Sequence, residues 1–160
     1  MKEIKIETTL EVFDGLEDLP INIQQIMKEA IKAREKAYSP YSKFNVGAAI
    51  LLDNGEVISG SNQENASYPS GLCAERTAIF YAGAKYPNAK MLKMALTASS
   101  QNNITSDPIP PCGACRQSIA EYEIKQKSPI EIYFMGVEGK VIKSKSLANL
   151  LPLVFESSVL

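Results

Sequence analysis

Apolar side chains between Ile21 and Ala37 recur every three or four residues, which predicts an amphipathic helix along this segment. Ser39-Pro40 ends the pattern, because the residue before a proline disfavours helical backbone. A largely apolar run then extends from Phe44 to Leu52 and stops at Asp53-Asn54-Gly55, a strong hairpin-turn signal. We therefore expect a strand over residues 44–52 and an antiparallel return strand over residues 57–61.

Helices and single strands alternate after this hairpin. In chain order the pattern predicts a helix from Ala74 to Ala84, a buried strand from Met91 to Ala98, a helix from Gly113 to Tyr122, a strand from Ile130 to Met135, its short partner at Val141 and Ile142, and a short helix around Leu147 to Leu151. Such alternation indicates an α/β fold with three layers, in which a mixed five-stranded sheet is covered by helices on both faces.

The first 20 residues combine a short alternation at Ile4 and Ile6 with acidic turn residues and end at Pro20. We expect them to form an arm or a short strand. The remaining residues, 21–160, show no internal repeat and no linker, and a chain of 160 residues suits one compact domain. We therefore divide the chain into an N-terminal arm, residues 1–20, and one domain, residues 21–160.

Composition narrows the classes of partner. Hydrophobic residues make up 45% of the chain and charged residues 22%, as in ordinary globular domains. The 17 Lys and Arg residues are balanced by 18 Asp and Glu residues, for a formal net charge of −1. A protein that follows a phosphate backbone needs a basic excess, so we expect no nucleic-acid partner.

The N-terminal segment lacks an apolar signal region with a small-residue cleavage site. No stretch reaches the roughly 18 apolar residues that a membrane helix needs. We therefore expect no membrane association and a cytoplasmic location.

Three cysteines carry the first chemical signal. Cys112 and Cys115 lie three residues apart at a predicted helix start, where their sulfurs can share a tetrahedral zinc ion. Cys73 can complete a three-thiolate site if the fold brings its own predicted helix start to the same place. Three protein ligands leave one coordination position open for water, which distinguishes a catalytic zinc from a structural one.

Two other interpretations of the cysteines stay open at this point, namely buried free thiols and a structural zinc site. A structural site would need a fourth ligand, and the chain has three Cys and no His, so a carboxylate would have to serve.

Glu75 lies two residues after Cys73, in the first turn of a predicted helix. Its carboxylate can sit beside a zinc-bound water and move protons without binding the metal. A first-turn glutamate is also favoured by the helix dipole alone, so the neighbouring cysteine is what indicates the chemical role. Arg76 or Arg116 can offset the charge of the thiolates by hydrogen bonding to them.

Several of these motifs resemble those of a known protein family. Cys73-Ala74-Glu75 together with Pro111-Cys112-Gly113-Ala114-Cys115 resembles the paired signature of the homotetrameric, three-cysteine cytidine deaminases. The segments from Tyr41 to Ala49 and from Gly60 to Tyr68 are similar to the first strand and the nucleoside-binding loop of that family. The similarity runs from about Ile21 to Phe155.

The resemblance implies one zinc ion per chain and a small-molecule nucleoside substrate. It implies that Asn62 and Glu64 bond the ribose hydroxyls and that Phe44 packs against the base. The Ala74 backbone and Glu75 would read the pyrimidine edge.

The resemblance further implies that Arg76 bonds the zinc-ligand thiolates and that Gln117 supports the site. It implies a homotetramer in which Phe155 reaches a neighbouring subunit's active site.

The expected function is hydrolytic deamination of cytidine and deoxycytidine at C4 by zinc hydroxide, giving uridine or deoxyuridine and ammonia for pyrimidine salvage. Another cytosine-bearing small molecule, such as a nucleoside antibiotic, is the first alternative, although the Asn62 and Glu64 pair favours a ribose. A catalytically inactive zinc-binding module is the second, although it would not need Glu75. Deaminases of polynucleotides commonly have a His in place of Cys73 and are a distant third.

Overall fold

A mixed sheet forms the centre of the molecule. The computed structural model describes residues 1–157 and residue 160. In this part of the chain six strands form one sheet, namely β1 (Glu11–Phe13), β2 (Phe44–Leu52), β3 (Val57–Ser61), β4 (Met91–Ser100), β5 (Glu131–Met135) and β6 (Val141–Ser144). Their spatial order is β1-β6-β5-β4-β2-β3. Strands β4 and β5 run parallel, whereas the other neighbouring strands run antiparallel.

Helices cover both faces of this sheet. Helix α1 (Ile21–Arg34) packs its apolar stripe, which includes Ile23, Met27 and Ala30, on one face. Helices α2 (Ala74–Lys85) and α3 (Gly113–Gln126) pack on the opposite face around Ile79 and Ile119. The predicted three-layer α/β/α arrangement is confirmed. No helix among residues 1–157 and 160 is long and apolar enough to cross a membrane.

The expected number of five strands was wrong by one. The sixth strand, β1, lies in the N-terminal arm and pairs with β6, with Val12 opposite Ile142. Lys143 and Lys145 of β6 and its following turn form ion pairs with Glu11 at 3.2 and 2.9 Å, and Phe13 packs on the apolar cluster beneath α1. A strand of three residues is too short to show alternation, and its partner lies about 130 residues away in sequence. The division of the chain at residue 21 remains a prediction.

Two helix ends differ by three or more residues from the sequence-based expectation. Helix α1 stops at Arg34 rather than Ala37, because the chain then bends so that the Lys36 amide donates to the Ala33 carbonyl. Helix α3 extends beyond Tyr122 to Gln126. The Gln126 side chain accepts from the Met91 amide and donates to the Met91 carbonyl, at 2.9 and 2.8 Å. This pairing with β4 fixes the additional turn, and helical spacing alone does not reveal it.

Gly60 allows α2 to lie directly on β3. A Cβ atom at residue 60 would lie 2.7 Å from the Ala78 amide nitrogen and 2.9 Å from the Ala74 carbonyl oxygen. Both contacts are to backbone atoms, which cannot rotate away as a side chain can. The close approach fixes the start of α2, and therefore the position of Cys73, relative to the sheet.

We expect Gly60→Ala to lower the free energy of unfolding by about 1–3 kcal/mol, because the added methyl group has to push α2 outward. Urea denaturation followed by circular dichroism measures this change. Ser59→Ala, at the neighbouring exposed position of the same strand, is the matched control. Equal stability of the two variants would contradict the role assigned to this contact.

Candidate metal centre

The two helices on the same face of the sheet begin at one point. Cys73 precedes the first residue of α2, and Cys112 precedes the first residue of α3; both have extended backbone, with φ of −70° and −67°. Cys115 lies in the first turn of α3. The fold thus brings together the two predicted helix starts that a three-thiolate site requires.

The three sulfur atoms all lie within 4.8 Å of one another. Cys73 Sγ and Cys112 Sγ are 4.0 Å apart. A tetrahedral zinc ion with Zn–S bonds of about 2.3 Å separates its sulfur ligands by roughly 3.8 Å. Soft sulfur donors at this spacing therefore fit zinc with little rearrangement. The converged ligand atoms found among the described residues are these three sulfurs, and Glu75 is not part of the set.

The charge of the cluster is concentrated on Cys73. Hydrogen bonding with the Cys115 thiol and with the Arg76 guanidinium lowers the pKa of Cys73 to about 5. The same interaction with Cys73, together with burial, raises the pKa of Cys115, which therefore keeps its proton in the metal-free cluster. A metal ion would replace that proton. The positive ends of α2 and α3 also favour thiolates here.

Arg76 is the arginine that contacts a thiol, since its Nη2 donates to Cys73 Sγ at 3.7 Å. Its Nε atom is buried without a hydrogen-bond partner among the residues described. Arg116, the other candidate, instead donates to the carbonyl oxygens of Pro111 and Leu150, at 2.8 and 2.9 Å. Arg116 therefore ties the segment before α3 to the C-terminal region.

Glu75 is 5% exposed in the first turn of α2. Burial, assisted by the negative charge of Cys73, raises the pKa of its carboxyl group. A raised pKa makes the carboxylate a stronger base, which favours a role in proton transfer. Glu75, two residues after one metal ligand, is thus buried beside the cluster and suited to proton transfer.

A cavity of about 410 Å³ opens beside the cluster. Its lining includes Cys73, Arg76, Asn62, Glu64, Tyr41 and Tyr68. Phe44, Ala74 and Glu75 are outside the lining of this cavity. Ala74 and Glu75 are buried behind it in α2, and Phe44 is half-buried at the start of β2.

Glu64 is held from the turn that follows α1. Its Oε2 accepts hydrogen bonds from the backbone amides of Tyr41 and Ser42, at 2.9 and 3.2 Å. The Ser42 hydroxyl and these amides lower the pKa of Glu64, so the carboxylate is charged at neutral pH. A charged, oriented acceptor therefore faces the cavity region.

Asn62 is fixed by strand β2. Its Oδ1 accepts from the Val46 amide at 2.7 Å, and its Nδ2 donates to the Phe44 carbonyl at 2.9 Å. These bonds use one of its two amide hydrogens and leave the other for a ligand. Asn62 and Glu64, the two residues expected to contact a ribose, thus both line the cavity, and backbone groups hold both side chains.

Two aromatic residues of the cavity were missed as individual site residues. Tyr41 and Tyr68 have ring centroids 5.9 Å apart, and both rings are exposed. Their position in polar loops beside prolines gave no periodic signal.

Gln117 contacts the C-terminal segment. Its Nε2 donates to the Phe155 carbonyl at 2.8 Å, and the Phe155 ring is exposed. Within one chain, Phe155 does not line the cavity.

Comparison with known proteins gives one consistent family. A family model described as the cytidine and deoxycytidylate deaminase zinc-binding region matches residues 20–128. A cytidine deaminase of Halalkalibacterium halodurans is 44% identical over 132 residues, which are 82% of this chain and 92% of that protein. A cytidine deaminase of Sporosarcina psychrophila is 38% identical over 84% of this chain and 92% of its own length.

Two solved structures that resemble this chain are also those of cytidine deaminases. The crystal structure of cytidine deaminase from Burkholderia pseudomallei has a TM-score of 0.70 and 40% identity, covering 82% of this chain and 97% of that chain. That of cytidine deaminase from Mycobacterium tuberculosis has a TM-score of 0.66 and 31% identity, covering 86% and 99%.

We expect the purified protein to contain about one zinc ion per chain, and Cys112→Ser or Cys115→Ser to lose it, because two remaining thiolates hold the ion too weakly. Elemental analysis by mass spectrometry after dialysis measures the zinc content. Ser118→Ala, one turn further along α3, should keep the metal. Full zinc retention in both cysteine variants would contradict the ligand assignment.

Proposed function

The chain belongs to the family of cytidine and deoxycytidylate deaminases, and on this premise we propose that Glu75 carries the protons in the zinc-dependent deamination of cytidine and deoxycytidine. The reaction of a cytidine deaminase replaces the C4 amino group by oxygen, so that cytidine and water give uridine and ammonia. The observation that carries the proposal is a buried carboxyl group next to a converged set of three sulfur ligands.

Cys73, Cys112 and Cys115 would hold the zinc ion. When bound by three protein ligands, zinc supplies a water of lowered pKa in its open coordination position. The thiolates carry much negative charge, and Arg76 donates to one of them. Arg76 and the two helix N-termini therefore limit the charge that the ligands place on the metal.

Glu75 takes the proton that the attacking water loses. It delivers this proton to ring N3. It then takes the second proton from the new C4 hydroxyl, which becomes the carbonyl, and delivers it to the leaving amine, so that ammonia departs rather than an amide-like anion. The first turn of α2 fixes the carboxyl group beside the thiols, and burial raises its pKa toward the range in which such transfers are efficient.

The remaining side chains bind and orient the nucleoside in this proposal. Asn62 and Glu64 accept or donate at the ribose hydroxyls, supported by their position at the cavity and by the backbone bonds that hold them. Phe44 packs against the base, and the Ala74 backbone reads the pyrimidine edge. Gln117 supports the site through its bond to the C-terminal segment that carries Phe155.

A homotetramer completes the proposal. In one chain Cys112 is exposed, so water would reach the metal freely. Large apolar side chains also remain exposed on α2, at Phe80 and Tyr81, and in the C-terminal segment, at Leu153 and Phe155. In a tetramer, neighbouring subunits would cover the exposed Cys112 and these apolar side chains. We further propose a cytoplasmic location, because a reducing compartment keeps thiols free to bind a metal.

Glu75→Gln should leave the zinc content near normal while nearly abolishing turnover, because the carboxyl group moves protons and does not bind the metal. We expect kcat to fall by about 10⁴-fold or more, since one residue serves several transfers. The loss of cytidine absorbance measures the rate. Glu121→Gln, an exposed position on α3, is the matched control.

Activity of the glutamine variant within about tenfold of wild type would mean that only about 1.4 kcal/mol of barrier is missing. Glu75 would then be a helix-start acid, and the proposed mechanism would be wrong.

The cross-subunit role of Phe155 can be tested by complementation. Phe155→Ala should lower kcat/KM while sedimentation still shows a tetramer. Co-expression with Glu75→Gln chains should restore activity above the sum of the separate variants, because an intact Glu75 then meets an intact Phe155 from a neighbour. A fully active monomer, or tetramers without restoration, would remove Phe155 from the neighbouring site.

A further inference from the structure

The turn at residues 39–43 determines where the Glu64 carboxylate points. The two amides that bond Glu64 Oε2 belong to Tyr41 and Ser42, both in this turn. Lys43 ends the turn in the left-handed region, with φ of 56°. This conformation is unfavourable for a non-glycine residue. Contacts from elsewhere in the structure must therefore hold the turn in place.

Gln101, the first residue after β4, supplies such contacts. Its backbone amide donates to the Lys43 carbonyl at 2.8 Å. Its side-chain Nε2 donates to Asn45 Oδ1 at 3.1 Å and to Ser39 Oγ at 3.4 Å. The Ser39 hydroxyl donates in turn to Asn45 Oδ1. Gln101 thus contacts both ends of the turn, Ser39 through its hydroxyl and the strained Lys43 through its carbonyl.

Gln101 is itself well placed by β4. It follows Ser100, the last residue of that strand, which pairs with Phe44 at the start of β2. Ser100 Oγ accepts from the amides of Asn102 and Asn103, at 3.1 and 3.3 Å, and its own amide donates to Thr105 Oγ1 at 2.9 Å. These hydrogen bonds fix the direction of the loop that follows β4, so that Gln101 contacts the turn at residues 39–43.

We infer that Gln101 is a positioning residue for nucleoside binding, which acts on Glu64 through the turn at residues 39–43. The inference rests on the proposed ribose contact of Glu64. Without the Gln101 side chain, Ser39 and Asn45 lose a shared donor, and the amides of Tyr41 and Ser42 hold the carboxylate less firmly. The metal ligands and Glu75 lie at the starts of α2 and α3, whereas the side-chain hydrogen bonds of Gln101 go to Ser39 and Asn45.

The first experiment compares Gln101→Ala with wild type. We expect KM for cytidine to rise about three- to tenfold, as for the loss of a hydrogen bond, while kcat stays within about twofold. Zinc content should not change. Asn103→Ala is the matched control, because it removes an exposed amide from the same loop. An unchanged KM, or a fall in kcat with KM constant, would overturn the inference.

The second experiment separates positioning from general damage to the fold. Glu64→Ala alone should raise KM by about tenfold or more. Adding Gln101→Ala to Glu64→Ala should then raise KM by less than about twofold, because the group that Gln101 positions is gone. Likewise, Gln101→Ala should have almost no effect on KM for 2′,3′-dideoxycytidine, which lacks both ring hydroxyls. A full effect of Gln101→Ala in either case would overturn the inference.

An error in the proposed function would give different results from an error in the inference alone. If wild-type protein did not deaminate cytidine, or if Glu64→Ala left kcat/KM unchanged, the proposed function or its ribose contact would be wrong, and the inference would fall with it. If wild type turned over cytidine, Glu64→Ala were impaired and Gln101→Ala were indistinguishable from wild type, the inference alone would be wrong.

Discussion

The site depends on two helices that begin at the same point above one face of a sheet. Cys73 and Cys112 each precede a first helical turn, and Cys115 lies within the second helix's first turn. Their sulfurs meet within 4.8 Å because α2 lies directly on β3, where Gly60 leaves no Cβ between them. Both helix dipoles then point their positive ends at the thiolates. These positive ends favour the Cys73 thiolate and also the further thiolates that metal binding would produce.

One turn of α2 places three different chemical groups around that cluster. Cys73 offers a sulfur, Glu75 a buried carboxyl group and Arg76 a guanidinium that donates to the sulfur. The part of the site that is proposed to bind the nucleoside is built separately, from the residues that follow β3 and from the turn before β2. Glu64 belongs to this second part and is held by backbone amides rather than by the helices. Chemistry and substrate binding can therefore be perturbed independently.

Much of this architecture could be predicted from the sequence. The hairpin of β2 and β3 was predicted with the observed ends, because a long apolar run stops at Asp53-Asn54-Gly55. The spacing of Cys112 and Cys115 predicted two of the sulfur ligands, and the family resemblance added Cys73. What could not be predicted depends on distant partners: β1 pairs with a strand near the other end of the chain, and Gln101 contacts a turn about 60 residues earlier. Neither contact leaves a periodic pattern.

The central claim is that three sulfurs hold a zinc ion whose fourth position stays open for chemistry. X-ray absorption at the zinc edge of the purified wild-type protein tests it most directly. We expect three sulfur atoms at about 2.3 Å and one lighter atom at about 2.0 Å. A shell with two sulfurs or fewer, or an absorption spectrum without zinc in fully folded protein, would contradict it.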